Sequence, residues 1–265
     1  MGKRRRPGRW DQLYDKAEQA ELEKKFTKSS NIFSGTLNKY KNVAVAFSGG
    51  KDSLINVILA TMLYPEIKIF SVLTPYKFKE TWEYIIQIEE LYGLNLEIFM
   101  AYDCKPKILY NSGIAFTYYP DIWEEHQLEN NPNDSILGYK RCCNLLKTQV
   151  LQRSIQDQNL DAFFSGLRSD ETACRKDIPV FQENFGVTMV NTILDLNFND
   201  VFKIAQQNDF PVNPLYDQGY RSLGCKPCTR ISSPEETERD GRCFKDDRAV
   251  CEAFDSNVTG GTNSG

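Results

Sequence analysis

Apolar residues along the chain switch between short continuous runs and runs at helical spacing. Val43-Ala44-Val45-Ala46-Phe47 is too short for a helix and suits a strand buried on both faces. Leu54, Ile55, Val57, Ile58, Leu59 and Met62 then recur at helical spacing. Residues 67–73 predict a second strand, Lys79 to Tyr92 a second helix ended by Gly93, and residues 96–100 a third strand. This alternation predicts an α/β fold, an open, mostly parallel twisted sheet with helices on both faces. Further on, the pattern predicts a helix from Arg141 to Gln156, strands over 161–165 and 187–194, and a helix from Asn199 to Asn208. Residues 102–139, broken by Pro106, Pro120 and Pro132, read as an insertion or a lid over the sheet edge. The implied organisation is a basic arm and helix over 1–40, in which the helix runs from Trp10 to Lys25, then an α/β domain over 41–232 and a flexible tail over 233–265.

Composition narrows the class. With 41% hydrophobic and 26% charged residues, the 265-residue chain is not wholly disordered. No apolar run approaches the roughly 18–20 residues that span a bilayer, so no membrane partner is expected. The start has no apolar leader, which makes a cytoplasmic protein the default. The net charge of −4 is uneven, because residues 1–40 hold ten Lys/Arg against five Asp/Glu. Contact with nucleic acid is expected only through this arm, and a solvated face is the simpler account of it. Eight cysteines in a reducing compartment point to thiol chemistry or metal ligation rather than disulfides. The one histidine, His126, excludes a His-rich metal site and makes a Ser-His-Asp triad a poor prospect.

The chemistry starts at Ser48-Gly49-Gly50-Lys51-Asp52-Ser53, between the first strand and the first core helix. Two glycines let the backbone approach an anion, and the helix adds unpaired N–H groups and the positive end of its dipole. Lys51 adds a full charge, and Ser48 and Ser53 add hydroxyls. A Walker A loop would need Gly where Val45 stands and Ser or Thr where Asp52 stands, and a Rossmann fingerprint would need a third glycine. The hexapeptide resembles the pyrophosphate loop of the adenine-nucleotide α-hydrolase superfamily.

Cys142-Cys143 and Cys225-Lys226-Pro227-Cys228 offer four thiolates, which could hold zinc or a four-iron cluster. Lys140-Arg141-Cys142-Cys143, Gly166-Leu167-Arg168-Ser169-Asp170 and the stretch from Pro214 to Arg230 together resemble the iron–sulfur adenylyl-sulfate reductases of the phosphoadenylyl-sulfate reductase family. The resemblance covers residues 40–243 and is most specific over Tyr216–Arg230. It implies a [4Fe-4S] cluster on Cys142, Cys143, Cys225 and Cys228, with Lys140 close to both cluster and substrate. It also implies that Arg168 and Arg230 contact the nucleotide or its sulfate, which suits convergent cationic donors. The substrate would be adenylyl sulfate or its 3′-phosphorylated form, and a thioredoxin-like protein the reductant.

The chain departs from this family in its tail. The Glu-Cys-Gly-Leu-His pentapeptide that carries the family's nucleophile is absent. Cys251 is the replacement expected here, with Arg248 and Lys245 near enough in sequence to lower its pKa, and Cys243 is the second choice. Leu73-Thr74-Pro75 stands where the family often has Asp-Thr-Gly, and Cys104 and Cys174 read as packing residues. The intact phosphate loop supports a different reading, an ATP pyrophosphatase that adenylates a tRNA or small molecule and installs sulfur, with Mg2+ bound alongside ATP. A protein that binds nucleotide or cluster without turnover is the third.

Overall fold

The computed structural model describes residues 15–101, 107–109, 113–115 and 143–242. Helix α1 spans Lys16–Lys39, and Asp15 starts it through a capping box with Glu18. It begins later than the expected Trp10 and runs past the expected Lys25, because Leu22, Ser29, Phe33 and Thr36 form a buried stripe along it. Strand β1 (Val43–Ala46), helix α2 (Lys51–Leu63), β2 (Lys68–Val72), α3 (Lys79–Tyr92) and β3 (Asn95–Phe99) follow the predicted order. Gly93, at φ 60°, is the left-handed cap of α3.

Strands β4 (Lys107–Leu109) and β5 (Gly113–Ala115) make a small antiparallel pair, and the rest of the expected insertion or lid lies outside the described residues. The chain returns at Cys143 with a π-helical turn, Asn144–Thr148, that runs into α4 (Gln149–Asp157). Strand β6 (Ala162–Ser165) follows, then β7 (Phe181–Asn184) and β8 (Val187–Asn191), then α5 (Phe198–Gln207), which is capped by Asn197.

The six main strands lie in the order β3-β2-β1-β6-β8-β7. All neighbours are parallel except β7, which pairs antiparallel with β8 as an edge strand. The sequence pattern gives no hint of β7. Its turn is Phe185-Gly186, both at positive φ, and the phenylalanine lacks the usual Asn or Asp turn signal.

Strand alternation divides the core. Val43, Val45, Phe47 and Phe164 face α1, α2, α3 and α5, while Ala44, Phe70 and Phe163 face α4. Phe33 of α1 stacks on Phe164 at 4.0 Å between centroids. Burial on both faces is why the strand sequences read as continuous apolar runs. Among the described residues, no helix is long and apolar enough to cross a membrane.

Strand order reverses between β1 and β6. At such a reversal the loops leaving the carboxyl ends diverge, and the crevice between them is the usual ligand position in an open α/β sheet. The loop after β1 is Ser48–Ser53, and the loop after β6 carries Arg168.

Candidate functional site

The phosphate loop is held from three sides. Gly49 turns at φ 75°, and Ser53 Oγ lies 3.0 Å from Ser48 Oγ. Asn213 Nδ2 donates to the Gly49 carbonyl at 3.1 Å, and the Lys51 amide donates to the Tyr216 hydroxyl at 2.9 Å. A Cβ on Gly166, at the end of β6, would sit 2.6 Å from the Ser53 amide, so only glycine lets β6 reach the first turn of α2. Asn56 reinforces this contact by donating to the Ser165 carbonyl at 2.8 Å and accepting from Thr192.

Lys51 and Arg168 meet in this crevice, as their motifs suggest. Their side chains are 1% and 0% exposed, so both cations are removed from bulk water and need partners. Asp52 supplies one, 2.8 Å from Lys51 Nζ and 2.8 Å from Arg168 Nε. The other is Glu238, whose two carboxylate oxygens reach Lys51 and Arg168. Burial works to lower the Lys51 ammonium, but Asp52 and Glu238 outweigh it and hold its pKa above the ordinary lysine range. Burial holds Glu238 above the ordinary carboxylate range, against the pull of Lys51 and Arg168. Glu171 lies beside them with Arg175 and Arg239. Burial tends to raise its pKa, and the two arginines bring it down to about 2.

Residues 233–242 were expected to begin a flexible tail, and the structure corrects this. Glu238 is buried in the crevice, the Arg230 amide bonds to Gly241, and Thr229 pairs with Arg242. Arg230 does not join Lys51 and Arg168. Its guanidinium forks onto Glu236 at 2.8 and 2.6 Å and is half exposed. A charge partner six residues away holds it at the surface, a preference that its motif does not reveal.

Asp52, Glu171 and Glu238 bring carboxylate oxygens within 4.8 Å of one another. Four cations, Lys51, Arg168, Arg175 and Arg239, already neutralise them. A divalent ion would have to displace those charges, so the trio is a salt-bridge network rather than a vacant cation seat.

The cysteines form a second centre. The Cys225 loop is anchored by the Lys226 amide donating to the Tyr76 carbonyl at 2.7 Å and by a Lys77–Cys225 bridge. Cys225 Sγ lies 3.1 Å from Thr74 Oγ1, which gives the Leu73-Thr74-Pro75 segment a contact the sequence left unassigned. Lys147, one turn into the helix after Cys143, is held above the ordinary lysine range by Cys225 first, and by Cys143 and Cys228. Thiols from both separated motifs therefore act on one ammonium.

Burial pushes the Cys225 thiol up, but Lys147, Lys77, Thr74 and Arg242 bring it below the ordinary thiol value. Arg242 lies across Gly224, where a Cβ would meet its guanidinium at 2.0 Å, and its Nε is buried without a hydrogen-bond partner. Lys77 links the two centres. Its Nζ is 3.3 Å from the Ser48 carbonyl, and its charge acts on Cys225. Burial brings its pKa down to about 8, against the pull of Cys225. Lys77, Lys147, Arg242 and Glu238 carry no sequence signal beyond being charged.

Lys140, Cys142, Cys243, Cys251, Cys104 and the N-terminal arm to residue 14 lie outside the described residues. Cys174, read as a packing residue, is half-buried and disulfide-bonded.

A parallel sheet with a Ser-Gly-Gly loop and two buried cations at its switch point has the architecture of the adenine-nucleotide α-hydrolase fold. Two solved structures share the architecture. A phosphoadenylyl-sulfate reductase from Candida auris, a phosphate complex, superposes with a TM-score of 0.59 at 19% identity, covering 83% of this chain and 99% of its own. A Candida glabrata FMN adenylyltransferase superposes with a TM-score of 0.59 at 12% identity, covering 92% and 86%. Residues 42–231 match the phosphoadenosine phosphosulfate reductase domain, and the chain belongs to that family. It is 30% identical to 5′-adenylylsulfate reductase 1, chloroplastic, of Arabidopsis thaliana, over 86% of this chain and 48% of the relative. It is 29% identical to the phosphoadenosine 5′-phosphosulfate reductase of Photobacterium profundum, over 76% of this chain and 73% of the relative. The chain thus spans about half the length of the plant relatives it matches.

Proposed function

We propose that the chain reduces adenylyl sulfate, or its 3′-phosphorylated form, to sulfite in sulfate assimilation. The observation that carries this reading is the adjacency of an anion-binding crevice and a thiol centre at the carboxyl ends of the strands, joined through Lys77. The glycine loop and the Lys51–Arg168 pair bind and orient the phosphosulfate. The Cys251 thiolate attacks its sulfur and forms an S–S bond. The S–O bond to the phosphate breaks, and its electron pair leaves with AMP (or adenosine 3′,5′-bisphosphate). A thioredoxin-like dithiol then supplies two electrons, becomes a disulfide and releases sulfite from the enzyme cysteine.

A [4Fe-4S] cluster is proposed on Cys143, Cys225 and Cys228, with Cys142, outside the described residues, as the fourth ligand. Three thiols that act on the Lys147 ammonium, with Lys77 and Arg242 acting on Cys225 and the Arg242 Nε buried without a hydrogen-bond partner, suit an anionic polynuclear thiolate centre. When bound, the cluster would supply a fixed negative centre that orders these cations, while the electrons for sulfite come from thiols. Lys140 is proposed to stand between this centre and the substrate.

The intact phosphate loop favours the second reading, ATP cleavage to AMP. The neutralised carboxylate trio weighs against it, because among the described residues it is the acidic cluster that could seat Mg2+ accompanying ATP and its charges are already paired.

Sulfite release from each nucleotide, with thioredoxin and dithiothreitol after anaerobic purification, tests the proposal. Sulfite is expected from the wild type and not from Cys251→Ser. Iron and sulfide should be found in the wild type and lost in Cys225→Ser. Pyrophosphate release from ATP without sulfite from either substrate would replace this reading with the second.

A further inference from the structure

We propose that Glu238 is an internal competitor for the anion seat, and that a nucleotide enters by replacing its carboxylate between Lys51 and Arg168. The inference rests on the nucleotide reading above and adds a determinant of ligand charge to it.

Glu238 comes from the strap over 232–242, far along the chain from both cations it touches. It places two oxygens on two different cations, as an oxyanion of a phosphate or sulfate would. Asp52 is fixed at the start of α2, and Asp170 and Glu171 belong to the loop that carries Arg168. Glu238 is thus the acid of the cluster whose backbone belongs to neither loop of the crevice. The occupied crevice is also electrically balanced. Lys51, Arg168, Arg175 and Arg239 face Asp52, Asp170, Glu171 and Glu238. An anion added to this set gains no net attraction, whereas one that replaces Glu238 recovers both cations.

The exchange selects for charge. A singly charged group replaces one carboxylate charge with another. A 5′-phosphate or phosphosulfate brings two negative charges and more than one oxygen, so it wins the seat. A neutral nucleoside does not contend for it.

Calorimetric titration of AMP and adenosine into wild type, Glu238→Gln and Glu66→Gln tests this. Gln keeps the shape of Glu238 and removes its charge, and Glu66 is an exposed acid that controls for net charge. Glu238→Gln should bind AMP about tenfold more tightly than wild type, within the usual range of coupling between competing groups. Its adenosine affinity should stay unchanged, and Glu66→Gln should match wild type for both ligands. In the wild type, AMP should accelerate hydrogen exchange over 232–242, a measurement that does not depend on any variant folding. Wild-type binding of AMP with no gain in Glu238→Gln, an equal gain for adenosine, or slowed exchange in the strap would overturn the competitor and leave the nucleotide reading standing. AMP binding to none of the three proteins would overturn both.

Discussion

Gly166→Ala tests how tightly β6 fixes the phosphate loop. The new Cβ would lie 2.6 Å from the Ser53 amide nitrogen, 2.8 Å from its Cα and 3.1 Å from the Asp52 carbonyl carbon. All three are backbone atoms in the first turn of α2, so no side-chain rotation relieves the contact. Reaching 3.4 Å, where ordinary contact begins, needs a shift of at least 0.8 Å at the closest atom. Overpacking of this kind costs about 1–3 kcal/mol, which lowers the melting temperature by about 2–12 °C in a protein of this size. The displaced part is the anion-binding turn itself, and misplacement near 1 Å can weaken function by about 100-fold. AMP affinity should therefore fall by about 10- to 100-fold, beyond what the loss of stability alone would produce. Gly35→Ala on α1 is the control, because its Cβ meets nothing within 4 Å and alanine in a helix should stabilise by about 1 kcal/mol. Scanning fluorimetry and AMP titration read both effects. A Gly166→Ala protein that melts and binds AMP like the wild type would refute the close approach of β6 to α2.

Two further substitutions probe the charge network. Arg168→Met leaves Asp52 and Glu238 with a partner missing in a buried site, and breaking a buried pair in this way costs about 3–5 kcal/mol. Urea unfolding should show a lower midpoint, and an unchanged midpoint would mean that water reaches the crevice freely. For Glu171, the folded pKa of about 2 lies below the ordinary 4.5. The stability it contributes is therefore present above about pH 4.5 and is lost as the pH falls towards 2. Glu171→Gln should be less stable than wild type at pH 7 and show a shallower acid limb between those values. Equal steepness in the two proteins would show that Arg175 and Arg239 do not hold this carboxylate.

The chain by itself determined what depends on neighbouring residues. Apolar runs and helical spacing marked β1, α2, β2, α3 and β3, because each element buries a face whose period is written locally. The glycine turn before α2 identified the anion loop, since a strand, two glycines and a helix start make such a site from one continuous segment. What only the tertiary structure decided involves partners far apart in sequence. Glu238 sits 187 residues from Lys51 and 70 from Arg168, and nothing in the local sequence separates it from exposed Glu235 or from Glu236, which pairs with Arg230. Arg230 shares a motif with Cys225 and Cys228 yet turns to Glu236, because a charge at the surface takes its nearest opposite partner. Lys147 and Lys77 gain their meaning from thiols on other elements. Sequence periodicity records which side of an element is buried, while the reversal of strand order between β1 and β6 decides which distant charges share one crevice.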